Sequence, residues 1–139
     1  MRSGARLRGV SRIVLDTSAL LAILQGEPGA EIFTKKSGLL ENAIMSSVNV
    51  AEAYGKLVGR GIGPEDAWEA VIAPIPEVFG FDTEQAKIAG GLLPQTRALG
   101  LSLGDRACLA LGIALKSPIY TADRTWKNLR IKVSIHVIR

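Results

Sequence analysis

Short apolar runs alternate with longer segments of helical periodicity along most of the chain. The apolar runs predict five β-strands, at 12–15, 43–46, 77–81, 118–121 and 132–138. The longer segments predict helices at 17–25, 28–38, 47–61, 63–73, 82–99, 102–116 and 123–129. Strands this short, separated by helices, are typical of a parallel sheet that helices cover on both faces. We therefore predict an α/β fold.

Glycine and proline mark several of the predicted boundaries. Pro64 opens a helix, where its missing N–H is harmless, and Gly59 and Gly61 end the helix before it. Pro94 lies inside the segment 82–99 and predicts a kink there.

One carboxylate lies inside an apolar run. Asp16 interrupts IVLDTSALLAIL (13–24), although a buried ionised group costs several kcal/mol unless it is paired or coordinated. Asp123 also follows a predicted strand, Asp105 opens an apolar helix, and Glu52 lies on the helix after strand 43–46. Ligands of such sheets bind outside the carboxyl ends of the strands, so we expect these acids to meet at one edge.

Each of these acids also has an ordinary structural explanation. Asp16 and Asp123 have the position of helix N-caps, and Ser102 with Asp105 has the S-x-x-D spacing of a capping box. Glu52 lies four residues before Lys56, which suits a surface ion pair. Taken together, clustered carboxylates repel one another unless a cation neutralises them, and Mg²⁺ prefers oxygen ligands. The set favours a site for a divalent cation.

Composition and charge limit the class of protein. The chain has 139 residues, 47% hydrophobic residues and one cysteine, which suits a single domain without disulfides in a reducing cytoplasm. We predict a basic N-terminal extension at 1–11, one domain at 12–139, and no membrane span. A net charge of +4 favours phosphate-bearing partners.

Four acidic segments, taken together, resemble a known family. LDTSALLAIL, NVAEAYGKL, SLGDRACLALG and YTADRTWKNL are similar, in order and spacing, to the four acidic motifs of the PIN domain, and most of all to the VapC-type toxin ribonucleases. The resemblance implies a three-layer α/β/α fold with a central parallel sheet of four or five strands. It also implies a metal-dependent endoribonuclease that uses Mg²⁺ (or Mn²⁺), acts on RNA, and pairs with a cognate antitoxin and with a second copy of itself.

The same resemblance assigns candidate site residues by position. The metal-binding, catalytic acids would be Asp16, Glu52, Asp105 and Asp123. The supporting polar residues would be Ser18, Asn49 and Thr121. Candidate phosphate contacts are Arg106, Arg124 and Lys127, while Trp126 is either a base-stacking residue or a core anchor of its short helix.

Other functions remain open at this stage. A catalytically inactive PIN-like module that binds RNA or protein is the main alternative, although the presence of all four acids argues against it. A haloacid-dehalogenase-like phosphatase would need D-x-D after the first strand, and DTS lacks the second acid. No glycine-rich nucleotide-binding motif follows a strand.

Overall fold

The computed structural model describes residues 11–34 and 36–139, which form an α/β/α sandwich. The strands are β1 (Ile13–Leu15), β2 (Ala43–Ser46), β3 (Glu77–Phe79), β4 (Ile119–Thr121) and β5 (Ile135–Val137). The α-helices are α1 (Thr17–Gln25), α2 (Ser47–Gly59), α3 (Pro64–Ile72), α4 (Thr83–Gly91), α5 (Leu93–Thr96) and α6 (Leu103–Leu115). The predicted three-layer architecture is confirmed.

The strands pair in the order β3-β2-β1-β4-β5, and every pair is parallel. Val14 of β1 lies between Ile44 of β2 and Ile119 of β4. Strands β2 and β3 therefore lie on one side of β1, and strands β4 and β5, which come later in the chain, lie on its other side. The order therefore reverses between β1 and β4, and such a reversal leaves a ligand-accepting crevice at the carboxyl ends of the strands.

Alternate side chains of each central strand enter two separate cores. Leu15 and Met45 point to the first core, which the helices α1, α2 and α3 cover. Val14 and Ile44 point to the second core, which packs against α6. Burial on both faces explains why these strands are continuous apolar runs without polar alternation.

The helix predicted at 28–38 is wrong. The described residues of this range form a 3₁₀ turn at Ala30–Phe33, and a second 3₁₀ turn, Leu40–Asn42, follows the range. Gly29 has a φ of 98°, and a Cβ there would lie 2.6 Å from the carbonyl oxygen of Ile138. Phe33 is buried against the first core and packs edge-on against Tyr120. Tertiary docking at both ends of this segment therefore replaces the helical hydrogen bonds.

Two other helices differ in detail from the prediction. The segment 82–99 breaks into α4, α5 and a 3₁₀ turn (Arg97–Leu99), because Pro94 cannot continue the hydrogen-bonding pattern. The short helix predicted at 123–129 is a 3₁₀ helix, Arg124–Asn128. The basic extension predicted at 1–11 lies outside the described residues except for Ser11. No helix in the described part of the chain has the length and apolarity to span a bilayer.

Candidate functional site

Asp16 lies directly after β1 at the crevice between β1 and β4. Its side chain is 3% exposed and caps α1 by accepting a hydrogen bond from the Ala19 backbone N–H at 2.8 Å. Ser18 Oγ donates to Asp16 Oδ1 at 2.8 Å, and Thr121 Oγ1 donates to Asp16 Oδ2 at 2.6 Å. The predicted N-cap role is confirmed, and the carboxylate is buried as well.

Burial dominates the electrostatics of Asp16. It raises the pKa of this carboxyl from 3.8 to about 6, although the hydrogen bonds from Thr121, Ala19 and Ser18 lower it, and the charge of Asp105 raises it a little further. Because hydrogen bonding only partly compensates the desolvation, added positive charge here would stabilise the ionised form.

Hydroxyl groups join the ends of β1 and β4. Ser18 Oγ accepts a hydrogen bond from the Ala122 backbone N–H at 2.9 Å and lies 3.3 Å from Thr121 Oγ1. Thr121 Oγ1 also accepts from the Asp123 backbone N–H at 3.0 Å. These contacts place the backbone of Asp123 beside the hydroxyl that holds Asp16.

Glu52 is held from two helices. Its Oε1 accepts from Thr17 Oγ1 at 2.7 Å and from Asn49 Nδ2 at 3.1 Å. Asn49, only 1% exposed, also donates to the carbonyl oxygen of Gly104 at 3.0 Å, and its Oδ1 has no hydrogen-bond partner in the described chain. This amide connects α1, α2 and the start of α6, and it holds the Glu52 carboxylate beside Gly104.

Two further residues adjoin the Glu52 carboxylate, and the sequence analysis identified neither of them. Thr17 binds Glu52 directly, and Gly104 leaves room for the Glu52 carboxylate, because a Cβ at residue 104 would lie 2.6 Å from Oε1. The sequence contained one signal for both residues, because each is a small or hydroxylated neighbour of a candidate acid. Thr17 follows Asp16 in DTS, and Gly104 precedes Asp105 in LGD.

Asp105 and Asp123 also act as helix caps. Asp105 Oδ2 accepts from the Ser102 backbone N–H at 2.9 Å, and Ser102 Oγ accepts from the Asp105 N–H at 3.1 Å, which confirms the predicted capping box of α6. Asp123 Oδ1 accepts from the Thr125 N–H at 2.9 Å and from Thr125 Oγ1 at 2.7 Å.

Three of the acids act electrostatically on Cys108 of α6. Burial, followed by the charges of Asp16, Asp105 and Glu52, raises the pKa of the Cys108 thiol well above its usual range. Cys108 is buried in the second core, and its thiol stays protonated.

The donor set fits a hard cation in its chemistry. All of the candidate ligands are oxygens, Asp16 is incompletely compensated, and Asn49 Oδ1 lacks a partner. The arrangement is not a preformed ligand cluster, however. Within residues 11–34 and 36–139, no three acidic, histidine or cysteine side chains are grouped so that they could hold a metal ion. Oxygens of Asp105 and Asp123 are instead engaged in caps.

The candidate phosphate contacts differ in accessibility. Arg124 and Lys127 are exposed near the site, and Arg124 Nε donates to the carbonyl oxygen of Arg139 at 3.2 Å. Arg106 is half-buried and donates to the carbonyl oxygen of Ala89 at 3.0 Å, so its guanidinium connects α6 to α4. Trp126 is 1% exposed in the second core, which confirms the core interpretation and excludes base stacking in this arrangement.

Comparison with known proteins gives a family and a set of similar folds. The family model described as PIN domain matches residues 13–132, while no curated protein sequence matches the chain. A chain of DNA-bound VapBC from Salmonella typhimurium superposes with a TM-score of 0.73 at 15% identity, covering 94% of this chain and 100% of that one.

Two further structures show the same fold. A chain of VapBC2 from Rickettsia felis, bound to a DNA fragment from its promoter, has a TM-score of 0.71 at 16% identity and covers 91% of this chain and 98% of that one. VapC20 from Mycobacterium tuberculosis, described as a sarcin-ricin loop cleaving toxin, has a TM-score of 0.63 at 18% identity and covers 88% and 98%.

Proposed function

Because the chain belongs to the PIN domain family, we propose that it is a metal-dependent endoribonuclease and the toxin of a toxin–antitoxin pair. The observation that carries the proposal is Asp16, a buried and incompletely compensated carboxylate at the crevice where the strand order reverses. Glu52 on α2, Asp105 in the first turn of α6 and Asp123 after β4 would supply the other carboxylates.

The acids would hold one or two Mg²⁺ or Mn²⁺ ions. A divalent cation supplies charge neutralisation at the phosphate and activation of water in phosphodiester hydrolysis. The protein's part is to position the ligands: Ser18 and Thr121 hold Asp16, while Thr17 and Asn49 hold Glu52. In the reaction, water adds to phosphorus, the bond to one ester oxygen breaks, and that oxygen leaves with a proton.

The fold neighbours support RNA and protein partners. One neighbour is a toxin described as cleaving the sarcin-ricin loop, and others are VapBC assemblies, so we propose an RNA substrate and a cognate antitoxin for this chain. The homodimer remains a prediction from the family resemblance. The exposed Arg124 and Lys127 would contact the RNA backbone. The cytoplasmic location remains a prediction.

The test is cleavage of mixed RNA with Mg²⁺. We expect the intact chain to cut RNA and to lose this activity with chelator, and Asp16→Asn and Asp105→Asn to lower the rate at least about a hundredfold. Glu69→Gln is the matched control, because it removes one exposed carboxylate from α3. Cleavage that persists with chelator, or that is equal in all variants, would contradict the proposal.

One observation favours a second candidate function. Because no three potential ligands are grouped within the described residues, the chain could be a PIN-like module that binds RNA or protein without cleaving RNA. In that case folded protein would bind RNA with equal affinity with and without Mg²⁺ and would leave it intact.

A further inference from the structure

Two adjoining cavities form a groove far from the candidate site. The first, of about 690 Å³, lies between α4 and the segment before β5, and the second, of about 530 Å³, continues towards the starts of β4 and β5. Both are lined by Ile113 and Lys132, so together they form one surface, the α4–α6 groove. Ile113 lies eight residues after Asp105, about 12 Å further along α6.

The floor of this groove is aliphatic. Ile88, Ile113 and Ile131 line the first cavity and Val133 the second, and all four side chains are only partly buried against the second core. The helices and loops of the described chain therefore leave part of this core open to solvent. Cavities of this size and character are typical of binding sites.

The rim of the groove carries charge of one sign. Its charged lining residues are all basic: Lys87, Lys116, Arg130 and Lys132. The described lining residues include no acidic side chain, so the lining itself carries only positive charge. An occupant must therefore supply negative charge at the edges and apolar groups at the centre.

We propose that the α4–α6 groove docks an acidic amphipathic peptide segment of a partner protein. Aliphatic side chains of the segment would lie on Ile113 and its neighbours, while carboxylates would pair with Lys87, Arg130 and Lys132. The second cavity adjoins the starts of β4 and β5, whereas Asp16 follows the end of β1. None of the lining residues of either cavity is a candidate site residue, so the docking site does not depend on the proposed nuclease activity.

Other occupants fit the groove less well. A second copy of this chain carries a net charge of +4, which opposes its approach to a basic groove, and residues 1–10 carry Arg2, Arg6 and Arg8 but no acid. RNA would satisfy the cations, but the lining of the groove offers no aromatic ring for base stacking.

The probe is a fluorescein-labelled peptide of about 14 residues with leucine at helical spacing and glutamate elsewhere. Its binding to the full chain is followed by fluorescence anisotropy at about 0.15 M salt, with chelator present throughout. We expect Lys132→Glu and Lys87→Glu each to weaken binding about tenfold. Lys36→Glu is the matched control, because it makes the same charge change at an exposed position outside the groove.

A second probe, with every leucine replaced by serine, keeps the charge and removes the apolar face. We expect it to bind at least about tenfold more weakly than the first probe. Equal binding of the two probes, or an equal loss with Lys36→Glu, would overturn the proposal, since either result means non-specific attraction. Displacement of the peptide by an RNA of matched charge, with Lys132→Glu weakening the RNA equally, would assign the groove to RNA instead.

Discussion

Desolvation and hydrogen bonding act on Asp16 in opposite directions. The carboxylate accepts hydrogen bonds from Ala19, Ser18 and Thr121, yet burial still raises its pKa to about 6. The folded protein therefore takes up a proton at Asp16 more readily than the unfolded chain, for which the pKa is 3.8. Below about pH 4 the burial of Asp16 does not lower the free energy of unfolding. The free energy of unfolding then falls as the pH rises from about 4 to 6, by about 3 kcal/mol in all.

Asp16→Asn should therefore stabilise the metal-free protein most at neutral and alkaline pH. With chelator present, we expect the gain in unfolding free energy over the parent chain to be about 1 kcal/mol at pH 4.5 and to grow to at most about 3 kcal/mol above pH 7. Urea unfolding across this pH range measures it. A gain independent of pH, or one that Glu69→Gln reproduces, would show that burial of the Asp16 charge is not its cause.

The acids and three of the residues that hold them, Ser18, Asn49 and Thr121, were identifiable through the family resemblance, but Thr17 and Gly104 were not. Asp16 stands out because it interrupts an apolar run, whereas Thr17 beside it looks like an ordinary first helical residue. Its bond to Glu52 spans 35 residues, and the contact of Asn49 with Gly104 spans 55. Such contacts depend on how α1, α2 and α6 pack, which local patterns do not specify.

At the scale of elements, Asp105 lies in the first turn of α6, so the same carboxylate caps the helix and belongs to the candidate site. The capping box fixes Asp105 in the first turn, and the side chain of Ser102 accepts the reciprocal bond. The acid thereby satisfies a backbone donor at the helix N-terminus, where negative charge is favourable. The structural and the functional interpretations of Asp105 are therefore compatible, because one carboxylate has two oxygens.

Removal of the cap should destabilise the protein without removing a carboxylate. We expect Ser102→Ala to lower the free energy of unfolding by about 1 kcal/mol, since the Asp105 N–H loses its acceptor. Chemical denaturation measures this change. Ser47→Ala, at an exposed position in the first turn of α2, should change stability by less than about 0.5 kcal/mol. Equal stability of Ser102→Ala and the parent chain would mean that the box contributes nothing.

The segment 28–42 shows where element prediction fails. Its apolar residues have helical spacing, but Phe33 is held by the first core and Tyr120, and Gly29 is held against Ile138 at the other end of the chain. By contrast, α1 matched its prediction at both ends, because Asp16 caps its start and Gly26 adopts the left-handed conformation at its end. Local capping signals were reliable, whereas tertiary docking was not visible in the pattern.

At the scale of the molecule, one sheet connects both cores. The central strands send alternate residues to opposite faces, as Val14 and Leu15 show for β1. Arg139 at the end of the chain pairs with Glu27 at 2.9 Å, which attaches β5 to the segment after α1. The number and parallel direction of the strands were predictable from the runs, while the order β3-β2-β1-β4-β5 depends on packing across the sheet.

A sheet shared in this way should make unfolding a single cooperative transition. The two tryptophans report on opposite layers: Trp126 is buried in the second core, and Trp68 packs edge-on against Tyr54 beside the first. In Trp68→Phe and in Trp126→Phe, we expect the remaining fluorescence and the far-UV circular dichroism to give urea midpoints that agree within about 0.2 M. Comparing two probes within each variant removes the effect of any destabilisation by the substitution itself. Loss of Trp126 fluorescence well before the helical signal would mean that the second layer detaches while the first remains folded.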